Sequence, residues 1–98
     1  MKILCFIVNR ANYGRLAPVL ELLNNDPDFD LILVATGTTV ESKFGLPVES
    51  FEKDGLIFKY KLPIEHGERT HKSMAYTTSN AIKMACDTIE IEIPDLIL

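Results

Sequence analysis

The stretch Lys2–Leu23, KILCFIV followed by NRANYGRLAPVLELL, decides the fold, because a strand pattern hands over to a helix pattern inside it. Ile3–Val8 is an unbroken apolar run with no alternation, the pattern of a parallel strand covered on both faces. Six apolar residues behind one lysine are too few for a signal-peptide core and far too few to span a bilayer. Leu16, Val19, Leu20 and Leu23 then recur at helical spacing, and the stripe fades at NNDPDFD. Pro18 leaves two starts open. The helix begins near Pro18, or it begins near Tyr13 and loses the bond from position 18 to the Gly14 carbonyl, with a kink. The early start is the preferred reading.

Outward from that unit the pattern repeats. LILVAT (31–36) is a second buried strand, GTTVESKFG supplies loop chemistry, and PVESFEKD is a short helix with Pro47 in its first turn and Gly55 beyond its end. LIFKYKL (56–62) alternates Leu56, Phe58, Tyr60 and Leu62 with Lys59 and Lys61, which predicts a strand with one wetter face near a sheet edge. A loop, PIEHGERTHK, leads into a helix from about Ser73, whose positions Met74, Ala81, Ile82, Ala85 and Ile89 read as a core stripe. Pro94 stops it, and DLIL (95–98) opens another strand. This alternation predicts an α/β fold, a Rossmann-like parallel sheet with flanking helices. A buried strand with only four residues in place leads to the expectation that residues 1–98 are an incomplete, N-terminal part of such a domain in a longer protein.

Composition narrows the function classes. The 98 residues are 47% hydrophobic and 24% charged with net charge −4, and the mean hydropathy is +0.12, as expected of a packed globular chain. A net negative charge argues against a general nucleic-acid grip. Cys5 and Cys86 fall inside apolar and helical runs without metal spacing, and read as buried reduced thiols of a cytoplasmic protein. His66 and His71, with Glu65 and Glu68, fit no common metal pattern and read as solvated loop residues. Glu49, Glu52 and Asp54 read as a wet helix face. No metal and no cofactor is expected.

In open α/β sheets ligands sit beyond the carboxyl ends of the strands, and the first strand-to-helix turn presents free N–H groups that favour anions. NRANYG occupies that turn. The Arg10 guanidinium has a donor fork suited to a phosphate, and Gly14, without a Cβ, admits a phosphate or sugar close to the backbone. Asn12 is a candidate cap. The same residues also read without a ligand: Arg10 and Arg15 as solvated charges, Asn12 as an ordinary N-cap, Gly14 as a turn residue. Thr36, Gly37 and Thr38 either line the same cleft or form a plain strand-to-loop turn. Tyr13 reads as packing beneath the turn in preference to stacking on a ligand. There is no GxGxxG, so the dinucleotide fingerprint is lacking.

The segment VNRANYGRLAP resembles the first turn of the hydrolysing UDP-N-acetylglucosamine 2-epimerases, whose sialic-acid-pathway branch carries T-x-R-A-[DE]-Y-x-K-L. VATGTTVESKFGLPVESFEKDGL, HKSMAYTTSNAI and IPDLIL are similar to further segments of that family, in order and at matching spacing, over nearly the whole chain. The resemblance implies the first part of a two-domain glycosyltransferase-B-like fold with a UDP-sugar in the interdomain cleft. It implies elimination of UDP from UDP-N-acetylglucosamine to a glycal, then addition of water to give N-acetylmannosamine. It implies that Arg10 lies beside the diphosphate, Gly14 close to the nucleotide and Arg15 where many members have a lysine, and it places no catalytic acid–base group within this chain, so that the fragment alone is expected to be inactive. The substrate-binding candidates are thus Arg10, Gly14 and Arg15, with Thr38 added by its place after the second strand. A homo-oligomer is expected of the full-length protein. Asn12 replaces the family's carboxylate and Thr39 its histidine. Rival readings are a hydrolysing 2-epimerase of UDP-diacetylbacillosamine, a glycosyltransferase of the same fold, and a non-catalytic α/β binding module.

Overall fold

The computed structural model describes residues 1–64 and 70–98. Strands Lys2–Ile7 (β1), Asp30–Thr36 (β2), Phe58–Leu62 (β3) and Leu96–Ile97 (β4) alternate with helices Arg10–Asn25 (α1), Pro47–Lys53 (α2) and His71–Glu92 (α3). They form one parallel sheet in the order β3-β2-β1-β4. β1 and β2 run in register from Lys2 opposite Asp30 to Ile7 opposite Ala35, while β4 pairs only Leu96 and Ile97 with Ile3 and Leu4. The strand order reverses between β1 and β4. That reversal is where an open parallel sheet leaves a crevice at its carboxyl edge.

α1 and α2 cover one face, where Cys5, Ile7, Leu33 and Ala35 of the central strands pack with Tyr13, Leu20, Val48, Phe51 and Phe58. Leu4, Ile32 and Val34 point to the opposite face, against Phe6, Tyr60, Leu62 and Ile89 of α3. The early start of α1 holds and goes further than expected, since the helix begins at Arg10 and runs through Pro18 to Asn25. Without an N–H, Pro18 leaves the Gly14 carbonyl without its intrahelical donor. α2 starts on Pro47, and Gly55 beyond its end has φ +93°. The expected loop Gly37–Gly45 contains two 3-10 turns, Gly37–Val40 and Ser42–Phe44.

The alternation read along β3 does not keep its residues on one face. Phe58 sits opposite Leu33, but Tyr60 sits opposite Val34, so a bulge takes up Lys59. One extra residue in a strand transfers everything after it to the other side. Phe58 therefore joins the α1/α2 core and Tyr60 and Leu62 join the α3 side. The edge position expected of this strand is correct.

The reading of α3 needs more correction. It starts at His71, capped by the Thr70 hydroxyl, which accepts from the Ser73 N–H at 3.1 Å, so His71 is helical and exposed. Of the expected core stripe only Ile89 packs into a core cluster, whereas Met74 is 62% and Ile82 59% exposed. Ala81 and Ala85 are half-buried, and Cys86 is exposed, not buried. Helical spacing predicted an apolar stripe correctly, but no element among the described residues lies over most of it. Cys5 is buried as expected, and burial pushes its thiol up to about 11. The readings of His66, Glu65 and Glu68 lie outside the described residues.

The fully buried positions of α3 are instead Thr88 and Glu92. The Glu92 carboxylate accepts from Lys59 at 2.6 and 2.8 Å, and Lys2 donates to the Glu92 backbone carbonyl at 2.8 Å. The Lys59 ammonium holds the Glu92 carboxyl below its usual range, and the carboxylate in turn raises Lys59. Ile93 then ends the helix at φ +46°, a left-handed conformation uncommon for a β-branched residue, and Pro94 follows. Among the described residues, no helix is long and apolar enough to cross a membrane, and no group of His, Cys, Asp and Glu is placed to hold a metal ion.

Candidate functional site

The carboxyl ends of β1 and β2 are stitched together. Val8 is the last residue before the helix cap, and its carbonyl accepts from the Thr38 N–H at 3.1 Å and the Thr38 hydroxyl at 3.2 Å. Gly37 lies so close that a Cβ there would meet the Val8 oxygen at 2.7 Å, and its φ is +59°. Both conditions demand glycine. Thr39 is fully buried, and its hydroxyl donates to the Thr36 carbonyl at 2.6 Å, with the Ile7 carbonyl at 3.4 Å. Thr36, also buried, donates to the Leu62 carbonyl of β3 at 2.6 Å. Thr36, Thr38 and Thr39 thus tie the three strand ends together.

Asn9, not Asn12, caps α1: the Asn9 side chain accepts from the Asn12 N–H at 2.8 Å. The Asn12 side-chain oxygen reaches back to accept from the Val8 N–H, also at 2.8 Å. The arrangement resembles a capping box, except that the side chain reaching back takes the N–H of Val8, the residue before the cap, in place of the cap's own. The first intrahelical bond runs from the Tyr13 N–H to the Asn9 carbonyl at 3.1 Å. The N–H groups of Arg10 and Ala11 precede it and carry the positive end of the helix dipole.

Arg10 is exposed at the first helical position, beside the strand tips, and makes no ion pair among the described residues. Gly14 is exposed one turn later, and a Cβ there would meet no atom within 4 Å, so packing within the chain does not require glycine at that position. Arg15 is exposed, but five residues from Arg10 places it about 140° away around the helix axis. Arg10 and Gly14 therefore share one side of α1, Thr38 reaches the same junction through Val8, and Arg15 stands apart. Thr38 takes a scaffold role through Val8. The buried Thr39 faces the core, so this position presents no side chain to a cleft.

A hollow of about 500 Å³ lies elsewhere, lined by Tyr13, Ala17, Glu21, Asn25, Asp54 and Leu56. Tyr13 stacks on Phe51, with ring centroids 3.8 Å apart, and donates its hydroxyl to Asp54 at 2.7 Å. Burial first, then the Asp54 hydrogen bond and charge, push the phenol up to about 12. Tyr13 is a packing residue as expected. Asp54 is more than part of a wet face, and Glu52 similarly takes Lys61 at 2.8 Å. Glu21 and Asp54 make this hollow unsuited to an anion.

A four-stranded parallel sheet with α1 leaving its first strand at the reversal point defines a Rossmann-like α/β unit. A solved structure of a UDP-N-acetylglucosamine 2-epimerase shares the fold with a TM-score of 0.76 at 19% identity, over 99% of this chain and 25% of that one. In sequence, the chain is 28% identical over 97 residues to a hydrolysing UDP-N,N'-diacetylbacillosamine 2-epimerase of Legionella pneumophila, spanning 99% of the chain and 26% of that protein. It is 26% identical to a UDP-N-acetylglucosamine 2-epimerase of Neisseria meningitidis serogroup B, and 30% identical to a hydrolysing GDP/UDP-N,N'-diacetylbacillosamine 2-epimerase of Campylobacter jejuni. Each of these two matches covers 99% of the chain and 25% of the relative. No family model matches. The resemblance to the UDP-sugar 2-epimerases thus extends along the chain, which spans about a quarter of the length of the relatives it matches.

Proposed function

We propose that this chain is the N-terminal, nucleotide-binding portion of a hydrolysing UDP-N-acetylglucosamine 2-epimerase. The observation that carries the reading is the position of Arg10, exposed and without an ion pair among the described residues, at the start of α1 where the strand order reverses. In this reading the guanidinium and the first amides of α1 bind the same anion. The reaction breaks the bond between sugar C1 and the diphosphate oxygen, and negative charge grows on the departing UDP. Cationic and N–H donors fixed in place stabilise that charge as it forms. Gly14 leaves room beside the helix, and Thr38 holds the junction through Val8. Arg15 serves at most a longer-range electrostatic role. The groups that move protons lie outside these 98 residues in this reading, so the chain alone binds and does not turn over.

Two of the relatives bear bacillosamine names, which supports a second reading in which the sugar is a diacetylated bacillosamine. The chemistry at the diphosphate is the same in both. The full-length protein releasing UDP from UDP-N-acetylglucosamine without an acceptor is the expected result. Release only from the bacillosamine nucleotide selects the second reading, and transfer only after an acceptor is added rejects both in favour of a glycosyltransferase. Replacing Arg10 with Ala is expected to weaken UDP affinity and turnover by roughly ten- to a hundredfold, the range of one charge-assisted contact. Unchanged affinity and turnover would remove the proposed role of Arg10.

A further inference from the structure

We propose that Asn12 is a positioning residue for the diphosphate site, acting through the Val8 peptide and without touching the ligand; the inference rests on the nucleotide reading above. Both polar groups of Val8 are held from outside the strand. Its N–H donates to the Asn12 side chain at 2.8 Å, and its carbonyl accepts from the N–H and hydroxyl of Thr38 at 3.1 and 3.2 Å. Gly37 presses against the same carbonyl, where a Cβ would stand 2.7 Å from the oxygen.

Val8 is the point at which extended backbone becomes helix cap, so two clasps on its peptide groups fix the angle at which α1 leaves β1. There are no cis peptide bonds among the described residues. In a planar trans peptide the N–H points opposite to the carbonyl. A Val8 carbonyl aimed at Thr38 therefore turns the Asn9 N–H away from Thr38 and the β2 loop. The Asn12 N–H is used internally by the Asn9 cap at 2.8 Å, and its side-chain oxygen by Val8, so Asn12 closes the turn and leaves the earlier amides for an anion. The acceptor oxygen carries this role. An aspartate has the same oxygen at the same reach, and alanine has none.

The test compares binding of UDP and of uridine, which lacks the diphosphate, to the full-length protein by calorimetry, alongside thermal unfolding. Asn12→Ala is expected to reduce the preference for UDP over uridine by about tenfold while uridine affinity stays unchanged. Asn12→Asp is expected to restore the preference to within about threefold of the unsubstituted protein. Thr38→Val removes only the hydroxyl clasp and is expected to reduce the preference by about two- to threefold, which keeps the test intact if Asn12→Ala does not fold. A lower unfolding temperature with the full UDP preference retained in these variants would make Asn12 purely structural and overturn the inference, leaving the nucleotide reading in place. No UDP preference in the unsubstituted protein would overturn both.

Discussion

On the α1/α2 side of the sheet, Tyr13 lies flat on Phe51 at 3.8 Å and Phe51 in turn meets Phe58 at 6.2 Å. On the α3 side, the longest helix buries Thr88 and Glu92 and leaves Met74, Ile82 and Ile91 more than half exposed. Two amphipathic helices with similar apolar content have thus docked by different means. α1 sits over both central strands, whose outward residues are all apolar, and stability there follows from area removed from water. α3 is held near its end by Ile89 and by the Glu92 carboxylate, which accepts from Lys59 at 2.6 Å with the Lys2 ammonium 3.9 Å away, an interaction that depends on protonation. Periodicity therefore reports that a helix has an apolar stripe, and says nothing of how much of the stripe is covered.

Three substitutions sharpen this contrast. The largest effect is expected of Phe51→Ala, which removes the ring between Tyr13 and Phe58 and should cost about 3–5 kcal/mol by urea unfolding. A loss under about 1 kcal/mol would mean that the aromatic stack is not the centre of this face.

Glu92→Gln should have a smaller effect with a pH signature. The folded carboxyl lies below its ordinary value of 4.5, so its stabilising contribution is complete above that value and is lost as pH falls through the lower folded one. The unsubstituted protein should lose thermal stability on acidification below about pH 4.5, and Glu92→Gln should be less stable at neutral pH with a flatter acid limb. Identical acid limbs would show that Glu92 contributes nothing to the docking of α3. The smallest effect is expected of Ile82→Ala, within about 0.5 kcal/mol as for other exposed positions. A loss of about 2 kcal/mol or more would show that this part of α3 is covered in the protein under test.

The site was partly legible. Arg10 at the end of the first strand and the loop chemistry of Gly37 and Thr38 are visible as residue types at a strand-to-helix junction, and the structure brings them to the same strand tips. Asn9 was missed, because a helix start near Tyr13 made Asn12 the candidate cap, whereas α1 begins three residues earlier, at Arg10. The Thr38 clasp on Val8 was not legible, because it joins residues 30 positions apart and depends on register between β1 and β2; the Asn12 clasp spans only four positions but was hidden by reading Asn12 as the cap. Nor could sequence show that Thr39 faces inward, where its hydroxyl binds carbonyls of its own and the neighbouring strand.

By itself, the order of apolar runs determined the alternating strands and helices, the parallel sheet, and β3 as an edge, since these follow from local periodicity and the breaks at Gly and Pro. Only the tertiary structure decided which face each residue serves. A single extra residue at Lys59 moved Tyr60 and Leu62 across the sheet, and no element among the described residues covers most of the α3 stripe. Burial and register are properties of pairs of segments brought together in space, and a pattern along one segment holds no record of its partner.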